Sequence, residues 1–507
     1  MENFTGLFFW GFLIVYGILM FVLSPKTVSL GGFFRGTDKM GREAKGWLIT
    51  SSIFISWIFA KSVTNAADMG AQYGIVGGIG YAVYWLCIPL TGYALYRLRR
   101  RFAAKSLVSF ITEHFGVAAA FCFSAAVFVR LFNEVWSNTS VVGAYYGTSG
   151  SAPFIIAALL FTAITIAYCC FGGMRGSLTT DVLQTIMFAV LLVFVLTWVL
   201  PHEGVAAVAT SGSWTMEGGV DFILGAGLQC LSYGFHDAVL TDRGFICKPK
   251  KMLKCFVGAG LLGFVAILLF SCIGVYAYLN GMSIEGSSAP VVVAQSFGIV
   301  AMLCMAVIMM MTGGSTLDSC FTAIGKLAGK DLPDILGKTP KTNPRIIGII
   351  VIIVFGIFGN IPMVMGATII SATTISGTMI MGLGPIFLAH GWVKPTKVGF
   401  FLAFWIGMVL GIVDTFWPET LSFMNVGGGD YANFLGVNLY GAIICWAAYL
   451  VPGLIAQTLD AKRGIEPTWK GLTREELRAL DEEERRRELA GEEDVDPEAV
   501  EPNRRLG

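Results

Sequence analysis

Charge is scarce in this chain: Asp, Glu, Lys and Arg make up 14% of its 507 residues against 55% hydrophobic residues, and the mean hydropathy is +0.70. So little polar surface cannot close a water-soluble globule, and the chain must be solvated by lipid. A net charge of +1 excludes nucleic-acid binding through a basic face. No repeated CxxC spacing occurs among the eleven cysteines, which lie in or beside apolar runs, Cys87, Cys122, Cys169, Cys170, Cys272, Cys304 and Cys445 among them. Metal clusters and disulfide frameworks need closer grouping, so these read as small buried hydrophobes. No HExxH or Ser/His/Asp pattern accompanies His114, His202 or His390, so hydrolysis inside the membrane lacks a nucleophile and base, and no enzyme is expected. The N-terminal MENFTGLFFWG has no Lys or Arg ahead of its apolar run. It therefore lacks the basic region of a secretory signal, and the first span is expected to stay in the mature protein.

What is abundant is apolar sequence in lengths that match a bilayer. A hydrocarbon core of about 30 Å needs roughly 20 apolar residues per helix, and helices satisfy their own backbone groups there. Such windows occur near 6–24, 46–64, 75–96, 118–146, 153–171, 181–200, 219–240, 255–279, 297–325, 346–360, 364–389, 397–416 and 434–456. The fold class is accordingly an all-α integral membrane protein with about thirteen transmembrane helices. Basic residues cluster on alternate loops: from Lys26 to Lys45, Arg97 to Lys105, Arg243 to Lys254, Lys326 to Arg345, and at Lys394 and Lys397. The intervening YYGTSGSAP, HEGVAAVATSGSWTMEGG, NGMSIEGSSAP and PETLSFMNVGGGDYANF contain neither Lys nor Arg. The excess of positive charge on one side places the N-terminus outside and the C-terminus in the cytoplasm of a cell inner membrane. After residue 456 the composition becomes charged, so 1–456 reads as the membrane domain and 457–507 as a cytoplasmic tail. In that tail Thr473 and Glu476 have capping-box spacing ahead of a short solvated helix.

Polar groups at mid-span depth carry the information about function, because a charge at the centre of a membrane helix costs about 2.5–3.5 kcal/mol on the insertion scale. In MMMTGGSTLDSCF, Thr312, Ser315, Thr316, Asp318 and Ser319 recur at spacings of three and four, gathering oxygens along one side of a helix. Hydroxyls, carbonyls and a carboxylate are the hard donors a small cation needs. Close packing at Gly313 and Gly314, with hydroxyls bonded back to the preceding turn, is the structural alternative; an unpaired carboxylate at Asp318 favours function. The second span carries Lys61 and then a β-branched, polar run before Gly70 and Gly74, where a partly unwound segment would expose carbonyls. Lys61 could neutralise a solute carboxylate, act as counterion to Asp318 or Asp181, or snorkel to an interface. In the seventh span, Gly225, Gly227 and Gly234 interrupt a helix beside Gln229, Ser232, Tyr233 and His236, the expected sign of a second broken helix in an inverted repeat. Arg130 and Glu134, four apart, read as a structural pair on one helix face. Trp57, Lys61 and Ser62 beside the first interruption, with Gln229 and Tyr233 beside the second, are the candidate solute contacts.

These motifs resemble the sodium:solute symporter family over roughly residues 1–456. FGGMRGSLTTDVLQTIMF from Phe171 resembles the family's pattern opening the fifth core helix, GGSTLDS that of the eighth, and KSLVSFITEHFG the segment before the third. The resemblance implies a LeuT-type fold of five-plus-five inverted helices, with repeats at about 46–200 and 219–389, one helix before and two after. It implies a sodium ion between the first and eighth core helices, held by the carbonyls of Ile55, Ile58 and Thr312 and the hydroxyls of Ser315 and Thr316. Asp181, Asp318 and Ser319 match a second cation position found in some relatives. The implied activity is sodium symport of a small solute such as an amino acid, a short carboxylate or urea by alternating access, with Na+ as coupling ion and the lipid bilayer as surroundings. Lys61 departs from the family pattern, and a fixed cation there could replace an ion and make transport sodium-independent or proton-coupled. A transporter-like sensor and a passive channel are the other readings.

Overall fold

The computed structural model describes residues 2–27, 29–337, 341–365 and 377–489. Among them, nine helical stretches of at least 18 residues are long and apolar enough to cross a bilayer: this is a multi-pass membrane protein. Its helices are α1 (Glu2–Leu23), α2 (Gly46–Trp57), α3 (Ala60–Ala82), α4 (Cys87–Phe102), α5 (Val117–Gly143), α6 (Ala152–Glu203), α7 (Asp221–Gln229), α8 (Pro249–Leu279), α9 (Ile299–Lys326), α10 (Pro344–Phe358), α11 (Lys397–Phe416), α12 (Ala432–Lys462) and α13 (Arg474–Leu489). The expected spans near 6–24, 118–146, 255–279, 297–325, 346–360, 397–416 and 434–456 fall on α1, α5, α8, α9, α10, α11 and α12. The expected span 364–389 lies partly outside the described residues; its described end contains the short helix Leu383–Leu388.

Where the sequence suggested loops, the chain often turns on one residue. Between the expected spans 153–171 and 181–200 there is no loop at all: α6 runs for 52 residues and is interrupted only at Gly173, with φ 52° and ψ −150°. At 1.5 Å per residue such a run would be about 78 Å long, more than twice the hydrocarbon thickness, so the break divides two crossings. Only glycine tolerates that backbone in a close-packed place: a Cβ there would stand 2.6 Å from the Phe33 carbonyl oxygen. Gly74, at φ 62° and ψ −148°, interrupts α3 in the same way and separates the second span from the third.

The second span is also broken earlier than the sequence suggested. Helix α2 ends at Trp57, Ile58 (φ −86°, ψ 77°) and Phe59 (φ −66°, ψ 146°) are non-helical, and α3 resumes at Ala60. The polar run after Lys61, expected to be unwound, is helical as far as Gly74. Asn138 of α5 decides the position: its Oδ1 accepts the Ala60 amide at 2.9 Å, satisfying one of the orphan donors of a new helix N-terminus. Across this span α8 lies very close, with Gly274 so near α3 that a Cβ would stand 1.7 Å from the Ala67 carbonyl oxygen. Small residues let membrane helices approach this way, where lipid supplies no hydrophobic drive for association. The seventh span is broken too, with α7 ending at Gln229 and only short turns at Tyr233–Phe235 and Ala238–Thr241.

The tail helix α13 forms with the expected cap: Glu476 accepts from the Thr473 amide at 2.7 Å and donates its own amide to the Thr473 hydroxyl. It is not simply solvated. Asp481 lies 2.6 Å from both Arg100 and Lys250, Glu484 also pairs with Arg100, and the Leu472 amide donates to the Arg101 carbonyl. The basic ends of α4 and α8 therefore hold the tail.

Two outcomes follow. Gly173→Ala lowers the unfolding midpoint of the detergent-solubilised protein, with a cost of about 1–3 kcal/mol from the forced backbone, whereas Gly227→Ala, with nothing within 4 Å of the new Cβ, leaves it unchanged or higher. The Lys250 ammonium hydrogen-bonded to Asp481 holds that carboxyl below the usual carboxylate range. Its contribution to docking is therefore present above the free carboxyl value and lost as pH falls through the lowered one. Asp481→Asn with Glu484→Gln should reproduce the acid effect at neutral pH, read as faster proteolysis between α12 and α13.

Candidate functional site

Three helices each present two polar residues four positions apart, hence on one face: Ser52 and Ser56 on α2, Ser177 and Asp181 on α6, Ser315 and Ser319 on α9. In the folded chain the three faces meet, and all six residues are buried. Ser315 Oγ donates to Asp181 Oδ1 at 2.5 Å, Ser56 Oγ lies 2.8 Å from Ser319 Oγ, and Ser52 donates to Asp181 Oδ2. The stretches 55–58 and 312–319, far apart in sequence, are joined directly: Thr316 Oγ1 is 3.3 Å from the Ser56 carbonyl, and Ser315 Oγ is 3.3 Å from Ser56 Oγ.

Helix α2 ends here, so its last carbonyls lack the usual partners; Ile55 accepts only a tight-turn bond from the Ile58 amide at 3.1 Å. Thr312 and Thr316 do bond back along their own helix, to Ile308 at 3.0 Å and to Thr312 at 3.0 Å, as the structural alternative required. Ser315 does not. With the Ser315 proton committed to a carboxylate and the Thr316 proton to carbonyls, the lone pairs of both hydroxyls stay available to a cation. The stretch that contains Ile55 and Ile58 is thus brought against the helix face that contains Thr312, Ser315 and Thr316 through Ser56, and carbonyls and hydroxyls are the donor types a small hard ion takes.

Asp318 is not the unpaired carboxylate expected. It accepts from Ser177 at 2.7 Å, Thr180 at 2.9 Å, Tyr168 at 3.1 Å and Ser319 at 3.2 Å. Ser177 and Ser319 connect it to Asp181, which gathers Asp181, Asp318 and Ser319 into one cluster. Arg243 belongs to that cluster and not to a cytoplasmic loop: it is 0% exposed, and its guanidinium reaches Ser52, Ser56, Ser177, Ser319 and Asp181. Lys326, also counted among the loop cations, is buried between Asp242 at 2.7 Å and Asp331 at 2.9 Å.

A second buried network lies where the two broken spans face each other. Lys61, 1% exposed, donates to Glu134 at 2.6 Å. It is counterion to neither Asp318 nor Asp181, and it does not snorkel. Arg130 pairs with Glu134, as its spacing suggested, and also with Asp237 at 3.1 Å; Trp57 Nε1 donates to the same Asp237 oxygen at 3.1 Å. Lys61 and Arg130 are thereby balanced by Glu134 and Asp237, as low-dielectric surroundings demand. Beside them, Trp57, Trp85 and Tyr233 pack edge to face with centroids 5.8–6.1 Å apart. Gln229 accepts from Tyr84 at 2.8 Å and donates to Thr378 at 3.3 Å, and Ser62 accepts from Tyr81 at 3.4 Å. All five candidate solute contacts therefore surround the two breaks. Sequence reasoning missed Ser52, Ser56, Ser177, Asp237 and Arg243. The repeated four-residue spacing of hydroxyls and carboxylates was the available signal for the first three.

No protein-family model matches the chain. In sequence it is similar to the urea active transporter of Saccharomyces cerevisiae, 24% identical over 166 residues that make up 30% of this chain and 21% of that protein. It is also similar to the sodium/pantothenate symporter of Escherichia coli, 22% identical over 251 residues, 48% of this chain and 51% of the relative. The chain thus spans about half or less of these relatives' lengths. In fold it is similar to the substrate-bound outward-open state of a Na+-coupled sialic acid symporter, with a TM-score of 0.66 at 17% identity, covering 90% of this chain and 98% of the other. The fold is of the LeuT type, and in sequence the chain is similar over part of its length to solute transporters, one of them sodium-coupled.

The Lys61 network makes a specific demand on stability. Glu134→Gln leaves two buried cations short of a carboxylate and should cost about 3 kcal/mol of unfolding free energy in detergent. Lys61→Met, which leaves Glu134 paired with Arg130, should cost less. The double variant should cost less than the sum, read from unfolding midpoints as a double-mutant cycle.

Proposed function

We propose that this chain is a secondary transporter that imports a small polar solute with sodium by alternating access, from outside, where its N-terminus lies, to the cytoplasm. One observation carries the reading: the interrupted end of α2 and the hydroxyl face of α9 meet in a buried cluster, with Thr316 Oγ1 3.3 Å from the Ser56 carbonyl. Sodium entering this place would be held by the carbonyls of Ile55, Ile58 and Thr312 and the hydroxyls of Ser315 and Thr316. Because the ligands come from two helices, the ion favours the conformer that keeps those helices together. A solute bound at Trp57, Ser62, Gln229 and Tyr233 favours the same conformer, which is the condition for coupling. Each sodium moving inward is driven by about 2.3 kcal/mol per 100 mV of membrane potential, in addition to its own gradient.

The class of solute follows from the charge balance at the breaks. Lys61 is occupied by Glu134 and Arg130 by Glu134 and Asp237, so among the described residues neither of these two cations at the breaks is left waiting for an anion. A net-neutral polar molecule, either zwitterionic like an amino acid or uncharged like urea, enters without leaving an unbalanced charge. Among the solutes in the relatives' names, urea is of this net-neutral kind, whereas pantothenate and sialic acid are carboxylates with a net negative charge. The membrane domain is 1–456, with repeats at about 46–200 and 219–389, in a cell inner membrane, and 457–507 is the cytoplasmic tail.

Ser315→Ala combined with Thr316→Ala should raise the sodium concentration for half-maximal uptake at least about tenfold, roughly 1.4 kcal/mol of lost ion binding, at near-normal expression. Unchanged sodium dependence removes this ion site. Accumulation against a gradient, abolished by a sodium ionophore, separates the symporter from a passive channel.

A further inference from the structure

Arg243 is the side chain that the sodium reading leaves without a task. It sits on the turn Asp242–Phe245 that follows the second broken span, yet its guanidinium lies inside the cluster built by α2, α6 and α9. Nε donates to Ser52 Oγ at 2.7 Å and Nη1 to the Val239 carbonyl at 2.5 Å. Nη2 faces Ser319 Oγ at 2.7 Å, Ser56 Oγ at 3.1 Å, Ser177 Oγ at 3.3 Å and Asp181 Oδ2 at 3.4 Å. These are the oxygens around Asp181 and Ser319, two of the three positions that match a second cation place. A second sodium does not fit there, because the lone pairs it would need already accept from a positive group.

We infer that Arg243 is a tethered cation that fills the second cation position, so that transport is coupled to a single sodium ion. The inference rests on the symport reading above and specifies its stoichiometry. Charge counting agrees with it. Asp181 and Asp318 together carry two formal negative charges; the guanidinium and one sodium carry two positive ones, which leaves the buried cluster neutral, as a low-dielectric interior requires.

Asp181 also divides its two oxygens between the two cations. Oδ1 accepts from Ser315, a ligand of the proposed sodium place, at 2.5 Å, while Oδ2 faces Ser52, Ser56, Ser177 and Arg243. The guanidinium is held by Ser52, the Val239 carbonyl and Ser319, and the turn that carries it is tied to α9 through Asp242, adjacent in sequence, which pairs with Lys326. A covalently tethered cation does not exchange with solvent as an ion does.

The test is sodium binding to the purified full chain in detergent, measured with radiolabelled sodium at constant ionic strength maintained by choline, alongside the sodium dependence of the unfolding midpoint. The wild-type chain should bind one ion. Arg243→Gln, which removes the charge and leaves the oxygens, should bind two and show a steeper dependence of the midpoint on sodium. Millimolar guanidinium added to Arg243→Ala should displace the second ion and restore single-site behaviour.

Two ions bound by the wild-type chain overturn the inference without recourse to any variant. A monodisperse Arg243→Gln that still binds one ion, with the wild-type chain also binding one, overturns it as well and leaves the symport reading intact. No sodium bound by either protein removes the symport reading, and this inference with it.

Discussion

A charge that is buried between membrane helices must find its partner inside the protein, and the interior of this chain is arranged around that requirement. Seven of its ionic side chains are collected into two groups, the first formally neutral and the second one positive charge short. One joins Lys61 and Arg130 to Glu134 and Asp237; the other joins Arg243 to Asp181 and, through Ser177 and Ser319, to Asp318. Water is not there to screen an unmatched member, so each group constrains where at least three helices can lie. Helix α2 is set against α6 and α9 by hydroxyls converging on Asp181. Helix α3 is set against α5 by Lys61 with Glu134 and by the Ala60 amide on Asn138.

Interrupted helices give those groups their chemical value. An intact helix spends its carbonyls on itself, whereas the end of α2 at Trp57 leaves carbonyls free beside hydroxyls that already donate elsewhere. The same interruption brings Trp57 and Phe59 next to the second broken span, where Tyr233 packs against Trp57 and Arg130 lies over the rings of Phe59 and Tyr233. The proposed ion place and the aromatic contacts are therefore two sides of one break. The proposed coupling between them needs no long path, only the movement of a segment that contributes to both.

The limits of sequence reading are clearest at single residues. The oxygen-rich face of α9 was legible because side chains three and four apart must share a face, whatever the fold. Asp318 was legible as a costly carboxylate at mid-span depth but not as a partnered one, since Tyr168, Ser177 and Thr180 reach it from a different helix. Lys61 could be seen as costly at its depth, but its partner is 73 positions away and periodicity does not identify it. Arg243 was assigned to a basic loop because it begins a run of cations leading to Lys254. Local composition does not distinguish the first cation outside the membrane from the last one inside it. Gly173 was visible in a Gly-Gly pair, but only the proximity of Phe33 explains why one residue replaces a whole loop.

By itself the sequence determined that the chain crosses a bilayer many times, that its helices carry small residues and glycine interruptions, and that certain oxygens lie together on a helix face. These follow from hydrophobic length and from the fixed geometry of one helix, which depend on neighbours along the chain. Tertiary structure alone decided which charges pair, where α2 stops and which cation stands beside Asp181. Those outcomes depend on electrostatic and packing contacts between residues tens to hundreds of positions apart, and in a low-dielectric interior such contacts outweigh local preference.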